Sequence, residues 1–126
     1  MKKQGLIWLM CCLIGIAQAQ SDVELKGDLK GKRYSLEMDW GKLNYEVFGV
    51  GAPLLVLHGN GGSVQGKYQV IPELMKDYQV IAVDSRCHGR SSCPQGDLDY
   101  FEMADDVIAL MQSLGHEKYS VWGHSD

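Results

Sequence analysis

Two kinds of apolar spacing alternate along this chain, and they separate its strands from its helices. "YSLEMDW" (34–40) and "KLNYEVFGV" (42–50) alternate apolar and polar residues on either side of Gly41. Such alternation predicts two half-buried strands folded back as a hairpin. "PLLVLHG" (53–59) breaks with that pattern, because residues 54–57 are apolar without interruption. "YQVIAVD" (78–84) and "YSVWG" (119–123) read the same way. A strand without a polar face is one buried on both sides, as within a parallel sheet.

Helical spacing fills the gaps between these runs. Val64, Tyr68, Ile71, Leu74 and Met75 predict a helix over 64–77, kinked or restarted at Pro72. Asp99 and Glu102 make a capping-box-like opening for a second helix. Its apolar face is Ala104, Val107, Ile108, Met111 and Leu114, and Gly115 stops it. After the hairpin the order is therefore β-loop-α-β-loop-α-β. That order predicts an α/β fold: a mostly parallel sheet with an antiparallel N-terminal hairpin, right-handed crossovers and helices on both faces.

The first 33 residues stand outside this pattern. "MKKQGLIWLMCCLIGIAQAQ" has a short basic start, an apolar run over 6–17 and Ala17-Gln18-Ala19 before Gln20. This is the layout of a secretory signal peptide, residues 1–19, and the run is short for a bilayer span. Residues 20–33 read as a polar leader, and the fold occupies 34–126. The chain is expected to be exported, to the periplasm or beyond, touching membrane only through the signal peptide before cleavage.

Charge and cysteines narrow the partners. Of 12 basic and 16 acidic side chains, residues 1–19 hold only Lys2 and Lys3. The remainder thus carries 10 basic groups against 16 acidic, a net −6 with histidines neutral. An acidic surface without basic clusters argues against nucleic acid as a partner. Four cysteines become two, Cys87 and Cys93, once the signal is removed. In an oxidising compartment they can close a small loop or remain two thiols, and spacing alone leaves both open. No four-ligand zinc spacing occurs, and neither metal nor cofactor is expected.

Three loops follow the three continuous apolar strands, where α/β sheets gather their chemistry. The first, His58-Gly59-Asn60-Gly61-Gly62, can turn sharply and aim backbone N–H groups at an oxyanion. A plain turn fits it too. A phosphate loop does not, since both the GxxxxGK[ST] lysine and GxGxxG spacing are missing. The second, Asp84-Ser85-Arg86-Cys87-His88-Gly89-Arg90-Ser91, holds charges better suited to bracing a loop than to reacting. The third is Gly123-His124-Ser125-Asp126, four of the five places of a G-x-S-x-G nucleophile elbow.

In order and spacing, "LLVLHGNGGS", "YQVIAVDSRCHGRS" and "YSVWGHSD" resemble the N-terminal part of the α/β-hydrolase fold, over residues 43–126. Their counterparts there are the HGxGG oxyanion loop, the D-x-R-G-x-G-x-S turn and the nucleophile elbow. Cys87 departs from that pattern, standing where the family usually has glycine. The resemblance implies that Ser125 is a nucleophile and that the backbone N–H groups of Asn60 and Asp126 form an oxyanion hole. Gly61 is a second choice for Asn60. It further implies a small-molecule substrate with an ester-like or other acyl bond. A serine at 125 speaks against the epoxide hydrolases and haloalkane dehalogenases of this fold, which use aspartate.

In this family the triad acid and histidine follow the nucleophile in chain order. None of His58, His88, His116 and His124 is placed to substitute, so the 126-residue chain alone is expected to be inactive and truncated after the nucleophile. An inactive remnant and a non-catalytic secreted domain are the alternative readings.

Overall fold

The computed structural model describes residues 18–24 and 29–125. Six strands follow in chain order: β1 (Gln18–Glu24), β2 (Lys30–Met38), β3 (Gly41–Phe48), β4 (Ala52–Leu57), β5 (Tyr78–Val83) and β6 (Ser120–Gly123). A 3₁₀ turn, Val64–Lys67, and helix α1 (Ile71–Leu74) separate β4 from β5, and helix α2 (Tyr100–Ser113) separates β5 from β6. The strands form one sheet ordered β1-β2-β3-β5-β4-β6. β1, β2, β3 and β5 pair antiparallel in succession, whereas β4 pairs in parallel with both β5 and β6. This is a mixed α/β sheet with the antiparallel N-terminal hairpin that the spacing predicts, its crossovers confined to β4, β5 and β6.

The continuous apolar runs are buried on two faces because the sheet is covered on both. Leu54, Val56, Val80 and Ala82 point to one side, against Val64 and Ile71. Leu55, Ile81 and Val83 point to the other, against Leu110 and Met111 of α2. Alternate residues of each strand feed different cores, as the pleat requires.

The hairpin turns through Asp39 and Trp40. Gly41 follows with φ 137°, and a Cβ there would lie 2.5 Å from the Cβ of Ser92. Only glycine leaves room for the loop after β5. That loop runs back along β3, where Ser92 donates its N–H to the Lys42 carbonyl at 2.9 Å and Asn44 donates its N–H to Ser91 Oγ at 2.8 Å.

Four local expectations are corrected. The polar stretch 20–33 is largely strand: β1 lies antiparallel on β2, and β2 begins at Lys30. A strand at a sheet edge needs backbone pairing more than an apolar face, so hydropathy gives no sign of it. Ala19, the last residue of the expected signal segment, lies in β1 opposite Tyr34; residues 1–17 of that segment lie outside the described residues. The single helix over 64–77 is instead a 3₁₀ turn and a four-residue helix. Gly66 weakens the first turn, and Pro72, lacking an N–H, is accommodated only where a helix begins.

In α2 the buried stripe includes Asp106, Leu110 and Met111, while Ile108 is 44% exposed. Residues 106, 110 and 114 follow the four-residue helical step, and 108 falls on the opposite side. The strand over 119–123 is expected to be buried on both faces, yet β6 pairs only with β4 among the described residues, and Val121 is 58% exposed. An edge position leaves an apolar run half uncovered. Both ends of α2 follow their sequence signals: Asp99 accepts the N–H of Phe101 at 2.7 Å, and Gly115 closes the last turn with φ 78°.

Candidate active site

The register of the sheet brings three loops to one rim. Leu57 pairs with Val83 on one side and with Gly123 on the other, so β4, β5 and β6 end level. His58, Asp84 and His124 therefore leave the sheet side by side. A cavity of about 460 Å³ opens there, lined by His58, Asn60, Ser85, His88 and Ser125 from the three loops. Its lining also includes the apolar side chains of Leu57, Leu98, Met103, Ala104 and Val107.

The loop after β4 closes on itself through the Gly62 N–H, which donates to the Gly59 carbonyl at 2.9 Å. Gly61 takes φ 69° in this turn. The Gly61 N–H is engaged with His88 Nε2 at 3.2 Å. The Asn60 N–H makes no hydrogen bond among the described residues. Of the two donors expected here, the Asn60 amide is thus without a bond among the described residues, on a residue that lines the cavity, and the Gly61 amide is occupied.

His58 is structural in its contacts. Its Nδ1 lies 2.7 Å from the Gly59 carbonyl, and its Nε2 lies 3.1 Å from the Ser85 N–H. A carbonyl only accepts and an amide N–H only donates, so the ring is neutral with its proton on Nδ1. Burial pushes its pKa below the ordinary value. His88 and Lys67 push the same way, while the Gly59 carbonyl and Asp84 act against them.

The loop after β5 is held by two buried carboxylates. Asp84 accepts the N–H groups of Val64 at 2.7 Å and Arg90 at 3.1 Å. Gly89 must be glycine, because a Cβ there would fall 2.2 Å from Cγ of Asp84. Arg86 grips Asp106 of α2 with two parallel bonds, Nε to Oδ2 at 2.7 Å and Nη2 to Oδ1 at 2.8 Å. It also reaches Glu102 at 2.6 Å, and its guanidinium lies over the Trp40 ring at 4.9 Å. Trp40 Nε1 donates to the same Asp106 carboxylate at 2.9 Å. Glu102 thus serves Arg86. Cys87 adopts φ 63°, and its sulfur is bonded to that of Cys93.

The loop after β6 starts with His124, whose ring stacks near Trp122 with centroids 6.4 Å apart. Ser125 follows with φ 63°, left-handed like Cys87 and unusual for a residue with a Cβ. A nucleophile elbow likewise places its serine in a strained turn just after a strand. Asp126, the other expected donor, lies outside the described residues.

Sequence reading missed the bond from Arg86 to Asp106 and the contacts of both histidines with the neighbouring loop. One signal was available: Asp106 stands four residues before Leu110 on the core stripe, where a charge needs a partner. Among the described residues no group of His, Cys, Asp or Glu is placed to hold a metal ion, and no helix is long and apolar enough to cross a membrane.

Comparison with known proteins gives a consistent picture. The sequence model of a family described as "alpha/beta hydrolase fold" matches residues 52–125. The chain is 40% identical over 83 residues to a soluble epoxide hydrolase of Corynebacterium sp. (strain C12), covering 66% of this chain and 29% of that one. It is 37% identical over 87 residues to a fluoroacetate dehalogenase of Burkholderia sp., covering 65% of this chain and 29% of that one. Among solved structures, an epoxide hydrolase from an endophytic Streptomyces superposes with TM-score 0.69 at 26% identity, over 75% of this chain and 30% of that one. The chain thus spans about 29% of the length of the curated relatives it matches.

Proposed function

The chain belongs to the α/β-hydrolase family, and we propose that it carries the nucleophile elbow and oxyanion loop of an exported serine hydrolase. The observation that carries this reading is the left-handed Ser125 at the end of β6, sharing one cavity with the open Asn60 amide. In the proposed reaction, Ser125 Oγ gives up its proton to a general base and attacks an acyl carbonyl carbon. The carbonyl π electrons move onto oxygen, where the Asn60 and Asp126 N–H groups stabilise the charge. Collapse expels the protonated leaving group and leaves an acyl ester on Ser125, which water then cleaves. The triad acid and histidine are assigned to the portion of the relatives' length that this chain does not span. The 126-residue chain is accordingly proposed to be inert alone.

The apolar wall from α2 suits the hydrocarbon part of a small acyl substrate, and no cofactor or metal enters this chemistry. The bond between Cys87 and Cys93 suits an oxidising compartment and so supports export. The names of two relatives raise a second reading, opening of an epoxide or a carbon–halogen bond. Serine at 125, where enzymes of that chemistry in this fold use aspartate, favours acyl transfer.

Fluorophosphonate labelling with mass mapping of the adduct tests the reading. The whole protein, expressed through its source reading frame, takes the label on Ser125, and both the 126-residue chain and Ser125→Ala do not. Labelling that persists in Ser125→Ala, or is absent from the whole protein, overturns it.

A further inference from the structure

Two histidines that the proposed acyl transfer does not use are arranged reciprocally across two loops. His58, on the loop after β4, accepts the N–H of Ser85 on the loop after β5 at 3.1 Å. His88, on the loop after β5, accepts the N–H of Gly61 on the loop after β4 at 3.2 Å. Each ring also uses Nδ1 on its own loop, His58 toward the Gly59 carbonyl at 2.7 Å and His88 toward the Arg86 carbonyl at 2.9 Å. The ring centroids are 5.0 Å apart.

We infer that His58 and His88 form a reciprocal strap that aims the Asn60 backbone N–H, with His88 a positioning residue for the oxyanion loop. The inference rests on the reading of Asn60 as an oxyanion donor. The Gly59 carbonyl and the Asn60 N–H belong to one trans peptide unit and point in opposite directions. Holding the carbonyl through His58 therefore fixes where the N–H points. The next peptide unit carries the Asn60 carbonyl and the Gly61 N–H, and His88 holds that one. Both planes flanking the Asn60 Cα are pinned, one by each histidine.

Apart from the Gly62 N–H, which also reaches the Gly59 carbonyl at 2.9 Å, the loop has little else to hold it there. A Cβ on Gly61 would meet nothing within 4 Å. Glycines on both sides of Asn60 would otherwise leave its amide free to swing. A donor displaced by about an ångström loses most of its catalytic value.

The strap also requires both rings to be neutral. A proton on either Nε2 would set an N–H against an N–H, and two charged rings would repel. Besides each other, the charged groups near His58 are Asp84, which favours its cation, and Lys67, which opposes it.

The test uses the whole protein with p-nitrophenyl acetate as substrate and a fluorophosphonate as label. His88→Leu removes the acceptor for Gly61 and is expected to lower kcat at least about tenfold with little change in KM, Ser125 remaining the labelled residue. His88→Gln keeps an acceptor and is expected to recover most of kcat. A Leu variant that folds, labels at Ser125 and keeps wild-type kcat overturns the strap. Absence of the label on Ser125 in the wild-type protein overturns instead the nucleophile reading. In that case, or if the Leu variant fails to fold, histidine ¹⁵N spectra of the wild-type protein at neutral pH decide. Both rings protonated on Nδ1 and bare on Nε2 support the strap, and an Nε2-protonated form of either one overturns it.

Discussion

Cys87 and Ser125 share one backbone conformation and almost nothing else. Both have φ 63°, and among the described residues they are the two non-glycine positions with positive φ. Cys87 sits in a loop tied in several directions: a bond to Cys93, an N–H donated to the Ser92 carbonyl, and Arg86 beside it clamped to α2. Ser125 follows β6, a strand that pairs only with β4 among the described residues, and it is exposed. A left-handed residue with a Cβ costs about 1–2 kcal/mol wherever it occurs. At 87 the surrounding bonds over-determine the conformation, as a structural turn requires. At 125 the same conformation sets an exposed side chain on the cavity rim, in keeping with the proposed nucleophile.

Removing the clamp should have the largest effect on this contrast. Arg86→Ala leaves Asp106 buried with only Trp40 as its remaining side-chain partner, so the whole protein should lose about 3–5 kcal/mol of stability in a denaturant titration. A loss below about 1 kcal/mol would mean that the braced loop does not depend on Arg86.

Glycine substitution at the two strained positions should then give opposite signs. Ser125→Gly relieves the strain and should stabilise the protein by about 1 kcal/mol while abolishing the label. Cys87→Gly relieves the same strain but gives up a disulfide worth about 2 kcal/mol for so short a loop, for a net loss of about 1 kcal/mol. Equal shifts in midpoint for the two variants would erase the distinction between a braced and a displayed turn.

The smallest expected effect is on pH dependence. His58 lies below its ordinary value in the fold and returns to it on unfolding. As pH drops, the unfolded chain takes up the proton first. The stability tied to a neutral His58 is whole above about pH 6.5 and declines as pH falls toward the folded value. Replacing His58 by Gln should flatten stability between pH 7.5 and 5.5. An unchanged slope would show that the ring carries no such linkage.

Much of this architecture is legible in local sequence. The runs at 54–57 and 78–84 announce strands with two buried faces because burial on both sides removes every polar position from the segment. Asp99 and Gly115 mark the ends of α2 through cap chemistry that acts within one turn. Three glycine- or serine-bearing loops after three apolar strands place the candidate chemistry on one rim before any contact is known.

What remained hidden depends on partners far apart in the chain. Nothing in 20–33 signals strands, because β1 is specified by the backbone of β2 and not by its own apolar pattern. Asp106 is an unremarkable helical acid until the fold sets Arg86, twenty residues earlier, against it. His58 and His88 look like members of separate motifs, and only the placement of β5 beside β4 lets each accept an amide from the other's loop. Sequence alone determines the hairpin strands, the apolar strands, α2 and the order of the three loops, and it singles out Ser125 as the elbow candidate, since these follow from local periodicity and spacing. Which amide is bonded to a histidine and which carboxylate clamps which arginine were decided by the tertiary structure alone, because hydrogen bonds reach only about 3 Å and folding chooses what comes that close.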